Sequence, residues 1–180
     1  MEENYTFGEV MITEEQIKKR AKEIGAEISN DFKGEKILAV GILKGAVLWM
    51  SDLIREITVD TQIDFMAVSS YGASTKSSGV VQIIKDLDTG IEDLNVIIVE
   101  DIIDSGITLH YLRDYLLGRK PKSLKICTLL DKPDRREADI KVDYTGFVIE
   151  NKFIVGYGLD YNQLYRNIPY ITCLEEVKTV

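Results

Sequence analysis

Three carboxylates, Glu100, Asp101 and Asp104, stand close together and are followed at once by Ser105, Gly106 and Thr108. Carboxylates at that density can bind sugar hydroxyls, hold a divalent cation or take up a proton. A turn of small hydroxyl residues can offer bare backbone N–H groups to a phosphate, above all where a helix begins. The two chemistries conflict for a simple anion and agree for a sugar phosphate. Hydroxyls would go to the carboxylates and phosphate to the turn, with a divalent cation able to lie between. The plainer alternative is a strand with a solvated acidic end and Asp104 capping the next helix. Three carboxylates with Ser-Gly-x-Thr weigh against it.

The elements that must position these groups are legible on either side. Val96 to Val99 is an unbroken β-branched run ending at Glu100 and Asp101, the pattern of a strand covered on both faces. A helical pattern follows from Leu109 to Leu117, ended by Gly118 and Pro121. Charge and free N–H groups then lie at the carboxyl end of a central strand, where open α/β sheets bind ligands. His110, the single histidine, falls on that helix and reads as a bystander, leaving a carboxylate as the base.

Upstream, Thr13-Glu14-Glu15-Gln16 is a capping box opening an amphipathic helix that ends near Asp31. Lys36 to Ile42 reads as the first core strand. Leu43-Lys44-Gly45 turns it into a helix carrying Trp49, a second strand-to-helix turn with a cation beside it. Gln62 to Ser69 and Val80 to Lys85 read as strands on either side of a polar loop at about 70–80. Loops of that kind are hairpin connections or lids. Downstream, Ser123 to Leu130 is a buried strand that places Lys132 on the same rim as Glu100. Asp134 to Asp143 reads as a charged surface turn. Gly146 to Glu150, Phe153 to Tyr161 and Ile171 to Leu174 supply the remaining strand-like runs.

Val99 to Thr108 resembles the phosphoribosyl pyrophosphate signature of the type I phosphoribosyltransferases: apolar strand, Glu-Asp, two apolar residues, Asp-Ser-Gly and Thr in register. From the Lys44 turn to Arg166 the chain resembles the short, microbial hypoxanthine-guanine branch of that family. The resemblance implies a mainly parallel twisted α/β sheet flanked by helices. It also implies a single domain over 1–180, with a small hood built from the N- and C-terminal segments. The loop at about 70–80 would be mobile, with Ser70 and Tyr71 as its closing pair.

The resemblance implies the residue roles as well. Lys44 and Gly45 would bind pyrophosphate. Glu100 and Asp101 would bind ribose hydroxyls. The N–H groups and hydroxyls of Asp104, Ser105, Gly106, Ile107 and Thr108 would hold the 5′-phosphate, and Asp104 would be the general base. Lys132 would donate to the 6-oxo group of the purine, since lysine is donor-only and ill-suited to adenine's amino group. Phe153 would stack on the base, Ile154 would bond its edge through backbone, Asp160 would close the pocket and Arg166 would contact pyrophosphate. Glu100, Asp101 and Asp160 would hold Mg2+. Ile107 departs from relatives that carry lysine there, leaving the turn to backbone and hydroxyl donors.

The implied reaction joins hypoxanthine or guanine to phosphoribosyl pyrophosphate, giving IMP or GMP and pyrophosphate, in a cytoplasmic homodimer or homotetramer. Two rivals share the fold: a xanthine-preferring transferase, and a regulatory protein that senses phosphoribosyl pyrophosphate. The net charge of -8 opposes nucleic acid and anionic membranes as partners. Cys127 and Cys173 sit in apolar runs and read as reduced core residues. No apolar stretch is long enough to span a bilayer, and no Gly-x-Gly-x-x-Gly follows a strand, which disfavours a dinucleotide fold.

Overall fold

The computed structural model describes residues 5–70 and 81–176. The expected Ser70–Tyr71 pair and the loop that bears it fall at or beyond that boundary. Tyr71 lies outside the described residues, and only the backbone of Ser70 is placed.

Two sheets are present among the described residues. The larger contains β2 (Ile37–Leu43), β3 (Thr61–Ser70), β4 (Val81–Lys85), β5 (Asn95–Ile103), β6 (Ser123–Asp131) and β7 (Tyr144–Val148), in the order β4-β3-β2-β5-β6-β7. Every pairing in it is parallel except that of β3 with β4. The chain runs outward from β2 to β3 and β4, then returns to lay β5 against the other side of β2. That reversal opens a crevice beyond the carboxyl ends of β2 and β5.

Side chains alternate across the strands, so the two faces build two cores. On one face Ile37, Ala39, Ile97 and Val99 meet Ile17, Ile24 and Ile28 of α1 (Glu14–Asp31) and Trp49 and Leu53 of α2 (Val47–Glu56). On the other, Leu38, Val40, Val96 and Ile98 meet Leu109, Leu112 and Leu116 of α3 (Ile107–Leu117). α1 opens with the expected capping box: Gln16 N–H donates to Thr13 Oγ1 at 3.2 Å, and Thr13 N–H donates to Gln16 Oε1 at 2.8 Å.

The smaller sheet joins β1 (Tyr5–Ile12), β8 (Ile154–Val155) and β9 (Ile171–Glu176) in the order β1-β9-β8, all antiparallel. It pairs Ile154 with Cys173, and the nearby Lys152 carbonyl meets Lys132 just beyond the carboxyl end of β6.

Two local expectations are corrected. β5 does not stop at the carboxylates but continues through Glu100 and Asp101 to Ile103, paired with β6 as far as Asp131. The pairing outlasts the apolar run because β6 supplies ladder partners to its own end. α3 starts at Ile107, earlier than the apolar pattern alone suggests, and Asp104 does not cap it. Its N-cap is Gly106, at φ 80° with no side-chain cap.

Candidate active site

The two adjacent carboxylates touch each other and reach different neighbours. Glu100 shares its face with Val96 and Ile98 and lines a cavity of about 110 Å³ with Asp104, Ser105, Gly106 and Thr108. Asp101 backs the Lys44–Gly45 turn, and its carboxylate stays in contact with that of Glu100. A Cβ on Gly45 would lie 1.7 Å from Asp101 Oδ2, so any side chain there would push the Asp101 carboxylate aside. The Leu43–Lys44 peptide in that turn is cis. Both carboxylates are about 9% exposed.

Their burial has an electrostatic consequence. Desolvation, and then the neighbouring Asp101 charge, push the Glu100 carboxyl well above the usual carboxylate range. Burial likewise raises Asp101, partly offset by hydrogen bonds and by Arg166. A carboxyl with a raised value in the folded state takes up protons on folding. Stability of the free protein is therefore full below the ordinary carboxylate range and declines as pH rises through the raised values. Glu100→Gln removes most of that decline. Its thermal midpoint near neutral pH is expected to rise, by about 2–4 °C for each kcal/mol relieved. Melting curves from about pH 4.5 to 8 check this; a variant with the unaltered pH slope would mean Glu100 carries no such charge.

The turn after β5 carries the first-noticed residues. Ser105, Gly106 and Thr108 gather at the start of α3 as expected, and Ile107 N–H donates to Ser105 Oγ at 3.4 Å. Asp104 is half-exposed and its Oδ1 accepts from Arg135 Nε at 3.0 Å. His110 lies on α3, its Nδ1 3.2 Å from the Asp139 carbonyl, away from the turn's cavity lining.

The opposite wall comes from β6 and the smaller sheet. Lys132 is buried, and Nζ donates to the Lys152 carbonyl at 2.7 Å. Burial pulls its ammonium below the usual lysine range, while the Asp104 charge works against that shift. Lys132 is thereby tethered beside Phe153, a residue 54% exposed whose ring meets Tyr161 edge-on at 5.7 Å. An exposed phenylalanine held by another aromatic leaves a face open for stacking.

The segment after β8 closes onto the Lys44 turn. Asp160 pairs with Arg166 at 2.6 Å and accepts from Gln163 N–H at 2.8 Å. Arg166 Nη1 donates to the Gly158 carbonyl at 2.5 Å, and Lys44 Nζ donates to Gln163 Oε1 at 3.1 Å. Gly158, at φ 98°, packs so tightly that a Cβ would lie 2.1 Å from the Gly45 carbonyl oxygen. The residues picked from sequence thus form two groups that meet at the Glu100–Asp101 pair: Glu100, Asp104–Thr108, Lys132 and Phe153, and Lys44, Gly45, Asp101, Asp160 and Arg166. Sequence reasoning missed the support given by Gly158, Arg135 and Arg136. Only the charge of the two arginines was visible in advance.

The phosphoribosyl transferase domain family matches residues 11–162, and the chain belongs to that family, with the type I fold. Among its relatives, the hypoxanthine-guanine phosphoribosyltransferase of Bacillus subtilis is 55% identical over 166 residues, covering 92% of each chain. That of Mycobacterium bovis is 52% identical over 172 residues, covering 92% of this chain and 85% of the relative. A solved hypoxanthine phosphoribosyltransferase from Staphylococcus aureus superposes with a TM-score of 0.92 at 51% identity, covering 97% of this chain and 95% of its own.

Proposed function

We propose that this protein transfers the 5-phosphoribosyl group of phosphoribosyl pyrophosphate to hypoxanthine and guanine, releasing pyrophosphate and giving IMP and GMP. The observation that carries the reading is the tethered Lys132 beside the open Phe153 ring, on the same rim as the Asp104–Thr108 turn. It is supported by relatives named hypoxanthine-guanine phosphoribosyltransferase.

In this reading the 5′-phosphate sits on the Asp104–Thr108 turn and pyrophosphate on Lys44, Gly45 and Arg166. Glu100 and Asp101 take the ribose hydroxyls. The bond from the anomeric carbon to pyrophosphate breaks as the bond to the purine nitrogen forms, so positive charge builds on the ribose. Asp104 accepts the ring proton that the base gives up. Lys132 donates to the 6-oxo group, Phe153 stacks on the ring, Ile154 bonds the base edge through its backbone and Asp160 closes the pocket. Ser70 and Tyr71, on the loop at about 70–80, would keep water from the reacting centre.

The all-oxygen donor set of Glu100, Asp101 and Asp160 suits Mg2+. Among the described residues no three His, Cys, Asp or Glu side chains make a ready cage, so substrate oxygens would complete the shell. Bound magnesium supplies charge neutralisation to the leaving pyrophosphate. The reading takes residues 1–180 as one transferase domain whose small sheet is the hood, acting in the cytoplasm as a homodimer or homotetramer. Free, buried Cys127 and Cys173 fit a reducing compartment. No helix among the described residues is long and apolar enough to cross a membrane.

The test is a spectrophotometric assay with Mg2+ and phosphoribosyl pyrophosphate, offering hypoxanthine, guanine, xanthine and adenine separately. Turnover of hypoxanthine or guanine with adenine inert is expected. Lys132→Met should lower kcat/KM for hypoxanthine roughly 10- to 100-fold, the loss of one charged hydrogen bond. Silence with all four bases, with phosphoribosyl pyrophosphate still bound, would replace an enzyme with a sensor.

A further inference from the structure

The turn between β5 and α3 has every carbonyl taken. Lys132 N–H donates to the Ile103 carbonyl at 3.0 Å, and Glu137 and Ala138 N–H both donate to Ser105 O, at 2.9 and 3.0 Å. Arg136 Nε donates to Asp104 O at 3.3 Å, and His110 N–H donates to Gly106 O at 2.8 Å. In a trans peptide the C=O of one residue and the N–H of the next point in opposite directions. Pinning the first three carbonyls therefore fixes the N–H groups of Asp104, Ser105 and Gly106 away from the strap, while the bond within α3 to Gly106 O sets the Ile107 N–H, which meets Ser105 Oγ. Four of these five donors come from the single segment that follows β6.

Arg136 is the only side chain among those anchors. It is largely buried, and its guanidinium also pairs with Asp131 at the end of β6 and donates from Nη1 to the Ile140 carbonyl at 3.3 Å. Its Cδ lies 2.9 Å from where a Cβ on Gly106 would stand, against the αL residue that opens α3. A planar fork can hold three acceptors in fixed directions, and an ammonium cannot. Ile107 gives the turn no cation of its own.

We propose that Arg136 is a positioning residue for the 5′-phosphate: it locks the turn to the end of β6 and holds its N–H groups in their binding orientation. The inference rests on the sugar-phosphate reading of the turn. It also ties the phosphate site to Lys132, because the guanidinium grips the residue immediately before that lysine.

The experiment titrates IMP and, separately, inorganic pyrophosphate into the full-length protein and its variants. IMP binding by the wild type tests the underlying reading first; if the unaltered protein does not bind IMP, that reading fails, whatever Arg136 does. Given wild-type binding, Arg136→Met should weaken IMP roughly 10- to 100-fold and raise KM for phosphoribosyl pyrophosphate far more than it lowers kcat. Pyrophosphate affinity should stay unchanged, since the Lys44 turn leans on Asp101 and Gln163 and shares no partner with Arg136. A general loss of structure would weaken both ligands together. Arg136→Lys should fall between wild type and Arg136→Met; full recovery would make charge alone sufficient and overturn the clamp. Asp131→Ala, which releases the guanidinium from the other side, should weaken IMP in the same direction and decides the matter if Arg136→Met does not fold. Wild-type IMP affinity in a folded Arg136→Met or Asp131→Ala protein overturns the proposal.

Discussion

Asp104→Asn is expected to lower hypoxanthine turnover by ~10²–10⁴-fold, the range for losing a general base, while leaving sugar-phosphate binding largely intact. Asparagine keeps the shape and can still accept from Arg135 Nε, which contacts Oδ1 at 3.0 Å in the wild type. It cannot take a proton. The side chain is half-exposed, so neutralising it should move stability little, and a loss of rate cannot be blamed on unfolding. Single-turnover kinetics beside a titration with phosphoribosyl pyrophosphate separate the two effects. Turnover equal to wild type would remove Asp104 from the proton transfer.

Gly158→Ala should be nearly as damaging by a different route. Its φ of 98° lies outside the comfortable range of an L residue, and the added methyl would stand 2.1 Å from the Gly45 carbonyl oxygen. Gly45 cannot simply retreat, because Asp101 backs it on the other side. Left-handed strain and a backbone collision together should cost about 2–5 kcal/mol. Whatever relaxation occurs displaces the Lys44–Gly45 turn, so affinity for pyrophosphate should fall at least about tenfold. Denaturant melts and pyrophosphate titration measure the two losses. A variant with wild-type stability and pyrophosphate binding would show that the two turns do not depend on each other.

The contrast between these sites shows what the sequence makes legible. Val96–Val99, the acidic pair and the Ser-Gly-x-Thr turn are contiguous, so local pattern exposes both their structure and their chemistry. The α1 capping box is equally local. The β1 strand is not legible locally, because Gly8 interrupts it, two register shifts break its pairing and Phe7 and Val10 remain exposed. Its stability comes from β9, which no window on Tyr5–Ile12 contains. In the sequence Arg136 reads as one charge in a charged surface turn. Its role depends on Asp131 and on the Asp104 carbonyl far upstream. Gly158 could pass for a bulge, since the Gly45 oxygen that forbids a side chain belongs to a distant loop.

The pairing of β1 with β9 also sets an order of events during synthesis. Ile12 meets Ile171 and Tyr5 meets Glu176, contacts among the most widely separated the chain makes. Such pairings carry a large loop-closure entropy and form late. β8 has β9 as its ladder neighbour, so Phe153 and Ile154 gain their support only after β9 has left the ribosome. The larger sheet and its phosphate turn can assemble earlier from contacts nearer in sequence. A nascent chain would thus pass through a stage with a formed anion site and no base pocket, able to hold a sugar phosphate before it can choose a purine.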